Sequence, residues 1–250
     1  MTSGGPSSSF VGSGVLLRIE GVDYIGTAAH VVDELSGPVG VAVVKDREVR
    51  GYRDNPKGIV AVKQQDRTYM EGLDLALLLC TSNYRNFLTE QGMSFFELDK
   101  NTPPHVANEC FISGFPAKKN SYDRKNGCYA DTCGCHHVQS YVKNAERVRV
   151  IGGNPDYHFA LEIRKRHDFW DETTNKRIPE LFDLHGMSGG GVWHMSSEQE
   201  GDKIPQCATG IAGIFVEDRD RNNDRQGLAK AVKIEAIYNL VEFARKHPLS

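Results

Sequence analysis

The sequence predicts an all-β protein made of two β units and closed by one C-terminal helix. Three observations carry this expectation. Short apolar, β-branched runs recur along most of the chain, separated by Gly, Asp and Asn turns. A break with paired prolines, "DKNTPPH" at 99–105, divides them into two groups, because proline resists both helix and central strand. Only the tail, "KIEAIYNLVEFARKH", changes period: Ile234, Ile237, Val241 and Ala244 recur at helical spacing.

In chain order, "FVGSGVLLRIE" and "VDYIGTA" flank an "EG" turn and read as a hairpin. "HVVDEL" supplies a single helical turn, and "VGVAVV", "GIVAVK" and "LDLALLLC" continue the strands. After the proline break, "ECFISGFP", "RVRVIGG", "YHFALEIR", "GGGVWHM" and "ATGIAGIFVE" again read as strands, with residues 117–140 as a long polar loop. The units are placed at 10–100 and 106–233, and the helix at 234–247, where Arg245, Lys246 and His247 suit a carbonyl end. Strands this short and this numerous build barrels or sandwiches.

With 250 residues, 39% hydrophobic and 25% charged, the chain can bury a core. A net charge of −3 argues against nucleic acid as a partner. No apolar run approaches the roughly 18–20 residues that span a bilayer, so no membrane partner is expected. The start, "MTSGGPSSSF", lacks the basic and apolar segments of a signal peptide and reads as a flexible lead. Six cysteines are too sparse for a disulfide scaffold, and Cys80, behind "DLALLL", reads as a buried free thiol. A reducing, cytoplasmic setting is expected.

Three short segments stand out for chemistry: "GTAAHVV" with His30, "GLDLALLLC" with Asp74, and "GMSGGG" with Ser188. Alone, each reads as a packed histidine, a turn aspartate or a glycine loop. Together, and in that chain order, "TAAHV", "DLALL" and "GMSGGGV" resemble the signature segments of trypsin-like (chymotrypsin-fold) serine peptidases. "FVGSGVLL" and "GFP" resemble bacterial, cytoplasmic-type members, and the resemblance covers about residues 10–245.

The resemblance implies two antiparallel six-stranded β-barrels meeting at a cleft, with a C-terminal α-helix, and a serine endopeptidase acting on a protein or peptide without a cofactor. Ser188 would attack the carbonyl, His30 would carry its proton, Asp74 would orient the imidazole, and the N–H groups of Gly186 and Ser188 would form the oxyanion hole. The substrate pocket would involve Phe182, Asp183 and His185, with Gly213 and Phe215 on the opposite wall. Asp183 would attract a basic side chain; Phe182 would instead leave a shallow apolar site. Phe215 would narrow the cleft.

Two departures matter. Val31 stands where secreted relatives carry a disulfide-bonded cysteine. Met187 stands where zymogen-activated relatives carry an aspartate that pairs with a freshly cut N-terminus, so regulation is expected to run by another route, with a protein activator as a candidate partner. "CYADTCGCHH" gathers Cys128, Cys133, Cys135, His136 and His137, ligand types that zinc prefers, at a spacing that matches no common zinc frame; structural zinc on Cys128, Cys133, Cys135 and His136, free thiols and a local disulfide all remain readings. The alternating charges of 217–226 read as a solvated loop. Two other functional readings stand beside the peptidase: a silent peptide-binding module, and a peptidase effector inside a prokaryotic stress or anti-phage assembly.

Overall fold

β1 (Val15–Ile19) and β2 (Val22–Thr27) form the hairpin the sequence predicts. Glu20 and Gly21 between them both have positive φ, 50° and 78°, the combination that matches a two-residue turn to the twist of its strands. Val15, Leu17 and Ile19 point into one core cluster, while Leu16 faces the opposite side and packs, partly buried, on the cluster of Ile25, Leu78 and Leu88. In the computed structural model of the chain, the described residues are 12–34, 40–45, 48–53, 59–61, 72–99, 109–115, 122–123, 128–129, 135–142, 144–164, 169–171, 176–178, 184, 186–195, 208–219 and 226–246.

The helical turn α1 (Ala29–Asp33) follows β2 directly. β3 (Gly40–Lys45) and β4 (Glu48–Arg53) pair with each other as a separate ladder. β5 (Ile59–Ala61) and β6 (Ala76–Leu79) continue the first sheet beyond β2. On its other side β7 (Phe96–Leu98) lies parallel to β1, so the order is β5-β6-β2-β1-β7. Among the described residues this sheet therefore holds five strands rather than six, and one of its ladders is parallel.

Between β6 and β7 runs a helix that strand patterning did not reveal, α2 (Ser82–Glu90). Thr81 caps it, its Oγ1 accepting from the Tyr84 N–H, and Tyr84 and Leu88, one turn apart, bury against Ile25 and Leu78. Arg85 on α2 also reaches Asp23 at 2.6 Å, and Arg18 holds the same carboxylate from β1 at 2.6 Å. The two guanidinium groups hold the buried Asp23 carboxyl below its ordinary range, against the opposing effect of burial.

The second sheet contains β8 (Glu109–Gly114), β11 (Cys135–Val142), β12 (His158–Arg164), β13 (Phe169–Asp171), β14 (Lys176–Ile178), β15 (Gly191–Met195), β16 (Ala208–Arg219) and β17 (Gln226–Lys233). Its order is β12-β17-β16-β15-β8-β11-β13-β14, and β11 pairs again with β12. Six antiparallel strands, β8, β11, β12, β17, β16 and β15, thus link into a closed ring. A further two-residue ladder joins β9 (Tyr122–Asp123) to β10 (Cys128–Tyr129). The fold is all-β with a C-terminal helix, as the sequence predicts.

Three segments differ from their sequence reading. "RVRV" alternates like a strand but lies in α3 (Ala145–Val150), because Asn144 Oδ1 accepts from the N–H groups of Glu146 and Arg147 and starts a helix, and Val148 then packs on Ile151 and Ala160. Residues 117–140 are not one loop: β11 begins at Cys135 and pairs with β8 from Cys135 to Ser140, so its backbone groups are held in a ladder despite polar side chains. The solvated loop expected at 217–226 is shorter, since β16 extends to Arg219 and β17 starts at Gln226.

α4 (Ile234–Lys246) closes the molecule. Ile234, Ala236, Ile237, Leu240 and Val241 enter one core cluster with Leu17 and Ile19 of the first sheet and Ile214, Val216 and Val232 of the second. Arg245 pairs with Glu20 in the β1–β2 turn, so the helix holds both sheets. Among the described residues, no helix is long and apolar enough to cross a membrane.

Cys80 ends β6 as a buried free thiol, as expected, and burial pushes that thiol up to about 12. At pH 8 about one molecule in ten thousand then carries the reactive thiolate. Peptide mapping after brief iodoacetamide treatment of native protein should find Cys80 unmodified, and modified after treatment in denaturant.

Candidate functional site

The site starts from an unprotected helix end. Ala28 precedes α1 and has no side chain that can cap it. Asp74, from the segment entering β6, takes that role: its carbonyl accepts from the Ala29 N–H at 3.3 Å and its Oδ1 from the His30 N–H at 3.0 Å. Its second carboxylate oxygen, Oδ2, lies 2.8 Å from His30 Nδ1. One carboxylate thus holds both the backbone and the ring of His30, which assigns the proton to Nδ1 and turns Nε2 outwards as an acceptor.

Asp74 reaches this position with φ of 47°, a left-handed conformation that costs a non-glycine residue on the order of 1–3 kcal/mol. The three hydrogen bonds to Ala29 and His30 hold it there. His30 remains 42% exposed and Asp74 22%, so the pair stands at a surface rather than inside a core.

Ser188 sits on the turn Met187–Gly190, closed by the Gly190 N–H on the Met187 carbonyl at 2.9 Å. Gly189 occupies the third turn position with φ of 91°, the type II arrangement. The Gly189 N–H donates to the Phe215 carbonyl at 2.7 Å, and the Phe215 N–H to the Gly190 carbonyl at 2.9 Å. Met187 is fully buried in the second core with Phe159, Leu161 and Val192. Among the described residues, backbone hydrogen bonds are donated by the N–H groups of Met187, Gly189 and Gly190 and by neither Gly186 nor Ser188.

The same turn is fastened to the first sheet. The Ser13 N–H donates to the Ser188 carbonyl at 2.8 Å, and Thr27 Oγ1 donates to the Ser13 carbonyl at 2.7 Å. A methyl group on Gly12 would lie 2.5 Å from the Val31 side chain and 3.0 Å from the Ser188 carbonyl. The Ser188 turn therefore runs beside the Thr27–Val31 stretch that carries His30, separated from it by the thickness of a glycine.

Other expected residues fall elsewhere. Phe215 is fully buried with Phe159 and Met187, so its side chain fills the second core and does not narrow a cleft. Gly213 lies inside the sheet, where a methyl group would sit 1.9 Å from the Val232 carbonyl and 2.9 Å from the Phe159 ring. The family resemblance implies both as a pocket wall; in β16 they pair with Lys233 and Ala231 of β17. Phe182, Asp183, His185 and Cys133 lie outside the described residues. So do the side chains of Cys128, Cys135 and His136, whose backbones belong to β10 and β11. No group of metal-ligating side chains occurs among the described residues.

Sequence reasoning missed His158, on β12, 1% exposed. Its Nδ1 lies 3.0 Å from the Asn154 amide nitrogen and 3.1 Å from the Asn154 carbonyl oxygen, so the Asn154 backbone faces that nitrogen in either tautomer. Burial, assisted by Lys230, lowers its pKa; the Asn154 and Leu73 backbones and the Asp74 charge act the other way. A neutral imidazole is thus stored behind the Leu73–Asp74 segment.

No family model matches the chain, and no curated protein does. Among solved structures it is similar to the serine protease domain of the Sesbania mosaic virus polyprotein, at 14% identity over 96% of this chain and 86% of that one, with a TM-score of 0.47. A structure from work on the coupled folding and binding of the Sesbania mosaic virus VPg protein matches at 12% identity over 92% and 83%, also at 0.47. The HtrA-type protease AlgW with a decapeptide matches at 15% identity over 95% of this chain and 52% of its own, again at 0.47.

Because folding lowers the pKa of His158, the unfolded chain binds this proton first as pH falls. Its contribution to stability is present above the ordinary histidine range and lost as pH falls through about 6.5. Melting temperatures between pH 8 and pH 5 should decline towards acid, and His158→Gln should flatten that decline.

Proposed function

We propose that this chain is a serine endopeptidase in which Ser188 is the nucleophile, His30 the general base and acid, and Asp74 the group that orients His30. The observation that carries the reading is the double hold of Asp74 on His30, through Nδ1 at 2.8 Å and the backbone N–H at 3.0 Å, at a partly exposed surface beside the Ser188 turn. A serine hydroxyl is a weak nucleophile at neutral pH and needs a neutral imidazole nitrogen facing it. With the proton held on Nδ1 by Asp74, Nε2 carries the lone pair that can take the serine proton, and the imidazolium formed on attack is stabilised by the carboxylate.

The developing oxyanion requires donors that are already aimed. The N–H groups of Gly186 and Ser188, which donate no backbone hydrogen bond among the described residues, fit that requirement. His30 would then return its proton to the leaving amine, and water would release the acyl group by the same route. No cofactor enters these steps. The substrate is a protein or peptide; Asp183 beside Phe182 favours a basic side chain in the pocket.

Burial of Met187 in an apolar core supports regulation without a new N-terminus, since no charge stands there to bind an ammonium group. A bacterial cytoplasmic setting and a protein activator belong to the same proposal.

A fluorophosphonate probe should label the wild-type protein, and Ser188→Ala should abolish the label. Asp74→Asn should keep the fold and slow labelling by about 10⁴-fold, because the wrong nitrogen then carries the proton. A wild-type protein that stays unlabelled, alone and with cell extract, would favour a silent peptide-binding module. In a separate comparison, removing residues 1–9 should leave the labelling rate within about twofold; a large gain on trimming would restore activation by a cut N-terminus.

A further inference from the structure

We infer that Ser13 is a positioning residue for the nucleophile turn, acting through the Gly186–Met187 peptide; the inference rests on the peptidase reading of Ser188. Ser13 is buried, and its hydroxyl stands between two backbones of the other sheet. Oγ accepts from the Phe115 N–H at 2.8 Å and donates to the Gly186 carbonyl at 2.9 Å. A hydroxyl has one proton, so with Phe115 on its lone pair that proton is committed to Gly186.

The Gly186–Met187 peptide is held at both edges, its N–H on the Leu184 carbonyl at 2.9 Å and its carbonyl on Ser13 Oγ, so the hydroxyl completes the setting of its plane. That peptide lies between the two N–H groups proposed to receive the oxyanion, those of Gly186 and Ser188. Gly186, at φ of 90°, has no side chain to restrict its torsions, and the apolar Met187 side chain offers no ion pair to fix them. The Ser13 N–H, on the Ser188 carbonyl at 2.8 Å, sets the next plane but one, Ser188–Gly189. A single residue of the first sheet therefore orients both peptides that flank the Met187–Ser188 pair.

Attachment of the turn does not require the hydroxyl. Gly189 and Gly190 already bind the turn to Phe215, and Thr27 already binds the Ser13 carbonyl to β2. What the hydroxyl adds is orientation of the Gly186 carbonyl. Gly114 leaves little space for a substitute: a methyl group there would lie 3.0 Å from Ser13 Oγ and 3.3 Å from Met187 Cα. In place of a charge at 187, the N-terminal strand supplies a neutral hydrogen bond that presets the turn.

The test compares fluorophosphonate labelling of the wild-type protein, Ser13→Ala, Ser13→Cys and Leu88→Ala, resolved into a maximal rate and a half-saturating probe concentration. Leu88 lies in the α2 cluster and serves as a matched loss of stability away from the turn. Ser13→Ala should lower the maximal rate by about ten- to a hundredfold with the half-saturating concentration nearly unchanged. Ser13→Cys, close in size with a weak donor, should fall between, and it carries the test if Ser13→Ala does not fold. Leu88→Ala should melt earlier and label at the wild-type maximal rate. Wild-type rates in both Ser13 variants, or an equal loss in Leu88→Ala, overturn the inference alone. A wild-type protein that never labels overturns the peptidase reading and the inference together.

Discussion

Three backbones meet at the Met187–Gly190 turn too closely for any side chain. A methyl group on Gly189 would stand 2.0 Å from the Ser13 carbonyl and 2.2 Å from Thr27 Oγ1; one on Gly190 would stand 2.0 Å from the Ser113 carbonyl. All three distances are far inside contact, and the obstacles to Gly189 and Gly190 are chiefly backbone, which cannot step aside. The glycines of "GMSGGG" are therefore a packing requirement as well as a turn. Without them the first sheet, through Ser13 and Thr27, and the second, through Ser113 and Phe215, could not close on the same four residues.

That closure makes the arrangement around Ser188 a property of both halves of the molecule. His30 and Asp74 belong to the first half, where Asp74 caps α1 in place of the absent cap at Ala28. Its left-handed backbone would be a liability in isolation; here three hydrogen bonds converge on it. Ser188 belongs to the second half, with Met187 anchoring its turn in the apolar core. α4 adds an apolar seam across both sheets, and its Arg245 reaches the β1–β2 turn.

Much of this was legible because the informative residues are local in sequence. The hairpin follows from apolar alternation around "EG", the tail helix from its period, and His30, Asp74 and Ser188 from short motifs with glycine and small residues beside them. What was not legible depends on distant partners. Ser13 stands in the quoted "GSG", but its hydroxyl meets residues 102 and 173 positions away. His158 became visible only when β12 folded behind Leu73 and Asp74. The family resemblance implies a pocket wall at Phe215, whereas its side chain packs in the core with Phe159 and Met187. "RVRV" has strand alternation, and the decisive signal was the preceding Asn144 that caps a helix.

The glycine contacts also explain why the N-terminal strand bears on chemistry at Ser188 at all. A turn with two positive-φ glycines, Gly186 and Gly189, has many accessible conformations in an unfolded chain, and its local bonds from Met187 and Gly190 act together with bonds from outside to select one. A charged residue at 187 could select it from within the second sheet, at the expense of burying that charge and needing a partner for it. Met187 avoids the charge and strengthens the core, which leaves the remaining selection to groups outside the turn. Phe215 secures the far side of the turn, after Ser188; the segment before it, at Gly186, receives its bond from Ser13. Under the proposed peptidase reading, docking of the segment that carries Ser13 would aim the N–H groups of Gly186 and Ser188, and a change in the Gly12–Gly14 stretch would act on the proposed site through those backbones.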